Sequence, residues 1–117
     1  MDRVCKRYGA EFLAPDLDAV CGWGKGLEAG RYPLNGLRYE HVGQTSGWYF
    51  WSGENLSSDD DFFQPLCLGH AVERVPELKP FLGLPPGWRF LVAPGWEDVW
   101  HDPSLFTPVP MSVEKNI

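Results

Sequence analysis

The chain has 117 residues, 44% of them hydrophobic and 22% charged, with 10 Lys/Arg against 16 Asp/Glu and a formal net charge of −6. Its 13 glycines and 11 prolines interrupt the backbone too often for a helical bundle or coiled coil, and its six Trp within a 15% aromatic content exclude disorder. Nucleic acid and anionic membranes require a basic face, which ten scattered Lys/Arg do not provide, so neither is an expected partner.

In chain order, residues 1–14 are predicted as a short helix in which Val4, Tyr8 and Phe12 form one apolar stripe, ended by Pro15. Leu17 to Cys21 alternates apolar and polar residues like a strand, and Gly22-Trp23-Gly24-Lys25-Gly26 is predicted as a tight turn after it. Residues 31–40 read as a hairpin turning at Asn35-Gly36, the pair favoured in type I′ turns, with Pro33 marking its first arm as an edge. Gly47 to Gly53 encloses four consecutive aromatics. Neither face of such a strand is polar, which predicts a central strand covered on both sides, with Trp48 and Trp51 facing opposite ways.

Residues 54–64 form an acidic loop centred on Asp59-Asp60-Asp61. Leu66 to Leu82 is predicted as helical, with Leu68, Ala71, Val72 and Val75 on one face and a second piece starting at Pro76. Pro85-Pro86-Gly87 is a turn, Trp88 to Ala93 a strand stopped by Pro94-Gly95, and Trp96 to Trp100 a last short strand, followed by an irregular tail. The expected architecture is α+β: a small single domain spanning residues 1–117, with a mainly antiparallel twisted sheet packed on one or two short helices.

Three cysteines and no CxxC spacing argue against a disulfide framework, and no stretch has the apolar length of a signal peptide or membrane span, so a reduced, cytoplasmic protein is expected. Neither a metal nor a cofactor is expected. Cys67 and His70 make a single CxxH pair, better read as a small helix hydrophobe with a half-exposed neighbour. The acidic loop lacks the alternate spacing of a calcium loop, no GxSxG elbow is present, and the glycine cluster lacks phosphate-loop spacing. Glu97 and Asp98 are adjacent on a strand and point to opposite faces, so they would not act as a catalytic pair. Trp96 and Trp100 share a face beside carboxylates; they form either a protein-binding edge or a pair packed on the helix. The charge is lopsided: residues 1–58 carry six basic and seven acidic groups, residues 59–117 four and nine.

The order Gly47-Trp48-Tyr49-Phe50-Trp51-Ser52-Gly53-Glu54, then Asp59-Asp60-Asp61-Phe62-Phe63, then Val75-Pro76-Glu77-Leu78-Lys79-Pro80-Phe81-Leu82, then Leu84-Pro85-Pro86-Gly87-Trp88 resembles the Imm33-like immunity proteins, related to the bacterial DUF2185 domain. The resemblance covers about residues 17–105. It implies a non-catalytic protein of a bacterial toxin–immunity locus that binds a cognate toxin, and it carries over no catalytic residues. A cytosolic immunity protein would meet a nuclease, deaminase or NAD-consuming toxin. The expected contacts are Glu54, Asp59, Asp60 and Asp61 as an acidic patch, with Trp96, Glu97, Asp98 and Trp100 as a second edge, on a monomer or weak homodimer. The rival expectation is a small enzyme or ligand-binding domain with a pocket between the aromatic strand and the helix, holding His70 or His101 beside a carboxylate.

Overall fold

A computed structural model of the chain describes residues 2–40, 43–53, 59 and 61–106. Six strands form one sheet in the order β4-β1-β3-β2-β5-β6: β1 (Val20–Gly24), β2 (Leu34–Arg38), β3 (Thr45–Ser52), β4 (Phe63–Cys67), β5 (Trp88–Ala93) and β6 (Trp96–His101). Four of the five pairings are antiparallel, and only β1 against β3 is parallel. Two short helices, α1 (Asp2–Tyr8) and α2 (Leu68–Arg74), and a 3-10 helix, Pro76–Phe81, bear the helical part of the fold; a second 3-10 turn, Pro103–Phe106, follows β6. This is the expected α+β domain with a mainly antiparallel sheet.

The aromatic strand is central, as its two apolar faces require. Trp48 and Phe50 point into the main core, where they meet Val4 and Cys5 of α1, Leu68 and Ala71 of α2, and Leu78 and Phe81 of the 3-10 helix. Trp51 points to the opposite face and joins a smaller cluster with Leu37 and Leu105, flanked by Tyr39, Tyr49, Phe62 and Phe63. The rings of Phe81 and Phe90 stack with centroids 4.4 Å apart, and Trp48 stacks on Phe50 at 5.4 Å.

Several local expectations are corrected. Asn35-Gly36 is not a turn: both residues lie inside β2, an interior strand, and Gly36 does not have a positive φ. The Asn35 amide, buried, donates to the carbonyls of Pro33, Trp51 and Gly53, while Gly36 leaves room for the Phe90 ring above it. Pro33 stands just before the strand, so its missing N–H costs no ladder bond, and it does not mark an edge. Gly22 and Gly24 belong to β1, which starts later than expected and turns only at Lys25-Gly26. The Tyr49 ring lies on Gly22, a packing demand that no local pattern announces.

The N-terminal helix stops at Gly9 (φ +74°), well before Pro15, so Phe12 leaves the Val4–Tyr8 stripe and is exposed. Leu66 and Cys67 end a strand instead of starting a helix, because β4 pairs with β1 as far as Val20↔Cys67. Cys67 is thus not on the helix; its thiol donates to the Leu17 carbonyl. The 3-10 helix does begin at Pro76, and Pro94-Gly95 closes the β5–β6 hairpin with Gly95 at φ +72°.

Candidate functional site

The two described members of the expected acidic patch, Asp59 and Asp61, sit at one edge of the sheet. Asp59 and Asp61 are exposed just before β4, and Asp61 makes an ion pair with Lys25 at the end of β1 (3.4 Å). Both side chains of that pair are more than half exposed, so it contributes little to stability. Glu54 and Asp60 lie outside the described residues.

The second group, on β6, is built by strand alternation. Trp96, Asp98 and Trp100 share the face turned away from the helices, and Glu97 shares the core-side face with Val99. Glu97 is engaged within the protein: its Oε2 accepts from Arg7 Nη1 (2.8 Å) and from the Tyr8 hydroxyl (2.9 Å), tying α1 to the sheet edge. Trp96 is 61% exposed, the most exposed large hydrophobic residue among those described. Trp100 is half-buried, with the Arg89 guanidinium over its ring at 5.4 Å. Packing of the Trp pair on a helix, one of the two sequence readings, is therefore overturned: the helices cover the opposite face.

Arg89 is held in turn by Asp102, whose Oδ2 accepts from Arg89 Nη1 at 3.0 Å. Asp102 Oδ1 accepts from the Ser104 hydroxyl (2.6 Å) and backbone N–H (3.0 Å). These Ser104 bonds first, with Arg89 adding, hold its carboxyl below the usual carboxylate range. The face beside Trp100 is thus a fixed Trp–Arg–Asp array.

Asp59 and Asp61 are not neighbours of the β6 group. β4 and β6 are the first and last strands of the sheet. Five inter-strand spacings separate them, about 24 Å at ~4.8 Å each. The two edges also differ in protection. β4 carries Pro65 at its middle, opposite Gly22, and a proline cannot offer an N–H to an added strand. β6, Trp96-Glu97-Asp98-Val99-Trp100-His101, contains no proline and no lysine and, among the described residues, is paired on one side only.

Among the described residues the expected pocket between the aromatic strand and the helix does not form. Trp48, Phe50, Leu68, Leu78 and Leu82 fill that space, all fully buried. His70 is exposed on α2, and His101 is exposed at the end of β6, near the rings of Trp88 (5.5 Å) and Phe106 (5.9 Å). Open space occurs elsewhere. A groove of about 860 Å³ runs between α1 and the 3-10 helix, and a cleft of about 530 Å³ lies at the end of the sheet where β1 and β3 begin.

Arg38, on the wall of that cleft, went unnoticed in the sequence. It is 4% exposed, and burial pulls its guanidinium pKa below its usual value. Main-chain carbonyls compensate: Nε donates to Ser46, and Nη1 to Leu84 (2.8 Å) and, at 3.4 Å, to Leu13 and Leu82. One side chain so joins the N-terminal segment, the start of β3 and the loop after the 3-10 helix. A single arginine closing a short strand gives no signal of this.

No helix among the described residues is long and apolar enough to cross a membrane. No curated protein and no solved structure matches the chain. The Imm33-like domain matches residues 1–102, which takes in α1 and the segment after it as well as the motifs from β3 to β5. With that match covering most of its length, the chain belongs to the Imm33-like family, whose name denotes immunity proteins.

Proposed function

We propose that this protein is a non-catalytic bacterial immunity protein that binds and neutralises a cognate protein toxin in the cytosol, and that the β6 edge is its contact surface. The observation that carries this reading is the asymmetry of the two edges: β4 is guarded by Pro65, whereas β6 has neither proline nor lysine and bears a Trp 61% exposed. Trp96 is the apolar anchor, Trp100 on its Arg89–Asp102 support is the rigid part of the surface, and Asp98 supplies the acidic contact. Glu97 has an internal role as the Arg7 and Tyr8 acceptor. The loop at Asp59 and Asp61 lies too far away to join the same contact and, with the net charge of −6, acts on the approach of a basic toxin.

The test is co-expression with the toxin candidate encoded by the adjacent open reading frame, followed by binding measurements on the purified pair. Trp96→Ala is expected to weaken the complex at least 30-fold, about 2 kcal/mol for a buried Trp anchor, mainly through faster dissociation. Reversing Asp59 and Asp61 to Lys should slow association and flatten its salt dependence while leaving dissociation unchanged. Full protection by Trp96→Ala, with unchanged affinity, would overturn the assignment of β6.

A further inference from the structure

The segment between α1 and β1 has an exposure pattern that the β6 surface does not use. Six large hydrophobic residues are exposed among those described, and three of them fall within residues 12–17: Phe12 (47%), Leu13 (42%) and Leu17 (43%). These side chains are not outside because the segment is loose. Its backbone is tied at successive points: Ala10 N–H to Cys5 O, Leu13 N–H to Gly83 O (2.8 Å), and the Leu17 carbonyl to Gly69 N–H (2.8 Å). Arg38 holds the Leu13 carbonyl from behind. A fixed main chain that turns three apolar side chains to water presents a preformed surface, which loses little entropy on binding.

The same segment borders the cleft of about 530 Å³, a volume in the range of ligand-sized sites. Asp16 and Asp18 stand on its wall, both exposed, and Asp16 Oδ1 is oriented by the Asp18 N–H (2.9 Å). Gln44, Thr45 and Ser46 form the facing side. From residue 8 to residue 24 the sequence contains no Lys or Arg, and Glu11 adds a third exposed carboxylate. Among the described residues of the wall the one cation, Arg38, is buried and directed at main-chain carbonyls. Free charge among the described residues at this mouth is therefore acidic, and it is bordered by apolar groups.

From this combination we infer a second docking surface, which takes an arginine or lysine side chain of a protein partner into the cleft while flanking apolar residues of that partner cover Phe12, Leu13 and Leu17. Charge selects the occupant. A second copy of this chain would bring another net charge of −6 to an acidic mouth, and an anionic lipid surface would be repelled by the same carboxylates. The surface lies at the end of the sheet where β1 and β3 start, so it is independent of the β6 contact and stands or falls separately.

The probe is the tripeptide acetyl-Leu-Arg-Leu-amide, titrated into the full-length ¹⁵N-labelled protein and followed by NMR. Saturable shifts are expected at Asp16, Asp18, Gln44 and Thr45, with affinity at least tenfold weaker for the uncharged citrulline analogue and for the double variant Asp16→Asn/Asp18→Asn. Asparagine keeps the acceptor for the Asp18 N–H, so this variant preserves the loop. Raising salt from 20 to 200 mM should weaken binding severalfold. Equal binding of the citrulline peptide, shifts confined to other surfaces, or no saturation would overturn the inference. So would a dimer in sedimentation that Leu17→Ser dissociates, since the surface would then belong to a second copy.

Discussion

Gly36→Ala tests the central correction to the sequence reading. A Cβ at residue 36 would fall on the Phe90 ring, with Cζ only 2.5 Å away. The ring has nowhere to move: Phe90 is 1% exposed, stacked on Phe81, with Trp48 and Phe50 at centroid distances of 5.7 and 6.2 Å. Overpacking of such a site costs about 1–3 kcal/mol, offset by roughly 0.5–1 kcal/mol because alanine is otherwise better than glycine inside a strand. The net expectation is a loss of about 1–2 kcal/mol, equivalent to a Tm lower by about 5–10 °C. Urea denaturation followed by tryptophan fluorescence, at unchanged m-value, measures it. The decisive arm is Phe90→Leu, which removes the ring edge. In the double variant the two losses should not add, leaving a favourable coupling of about 1 kcal/mol or more. Additive losses would refute the packing argument, as would a Gly36→Ala protein as stable as the parent. A glycine required by a turn would show no dependence on Phe90.

Three further outcomes follow from buried and half-buried polar groups. Arg38→Met leaves the carbonyls of Ser46 and Leu84 without their donor and should cost about 2–3 kcal/mol in urea denaturation, with Arg38→Lys recovering less than half because an ammonium cannot reproduce the fork. Burial pushes the Cys21 thiol up from 9.0 to about 12, so the thiol is protonated in both states below pH 9 and only the unfolded chain ionises above it. Stability should therefore fall by about 1.4 kcal/mol per pH unit between pH 9 and pH 12, a component that Cys21→Ala removes from the pH dependence of the urea midpoint. Asp102→Asn should cost about 1 kcal/mol at neutral pH through the lost Ser104 and Arg89 bonds. Because the native carboxyl pKa is lowered, that contribution is present above about pH 4 and is lost as pH falls through the native value, so the two proteins should converge in acid.

The Imm33-like signature was legible from its words along the chain, because turns and aromatic strands are local features. The functional surfaces were less so. Trp96, Asp98 and Trp100 could be placed on one face by strand alternation alone, but whether that face met the helices or solvent depended on the strand order. Glu97 looked equivalent to Asp98 in sequence; only the reach of Arg7 and Tyr8 from α1 to its carboxylate commits it to an internal role. Phe12 reads as part of an amphipathic helix and Leu17 as the start of a strand, but Gly9 ends the helix early and β1 begins only at Val20, which leaves both side chains exposed between the two elements.

By itself the sequence determined what depends on neighbours along the chain: the all-apolar strand at Gly47 to Gly53, the proline that starts the 3-10 helix, and the Pro94-Gly95 hairpin. Tertiary structure decided what depends on residues distant in sequence. Asn35-Gly36 is locally an ideal turn, yet it runs straight through an interior strand because pairing with both β3 and β5, and a phenylalanine 54 positions later, satisfy it better than a turn would. The net charge of −6 was likewise fixed by composition, but its distribution over separate surfaces was set by the order of strands in the sheet. Local preferences are worth a few tenths to about 1 kcal/mol per residue, and burial of a single aromatic side chain exceeds that.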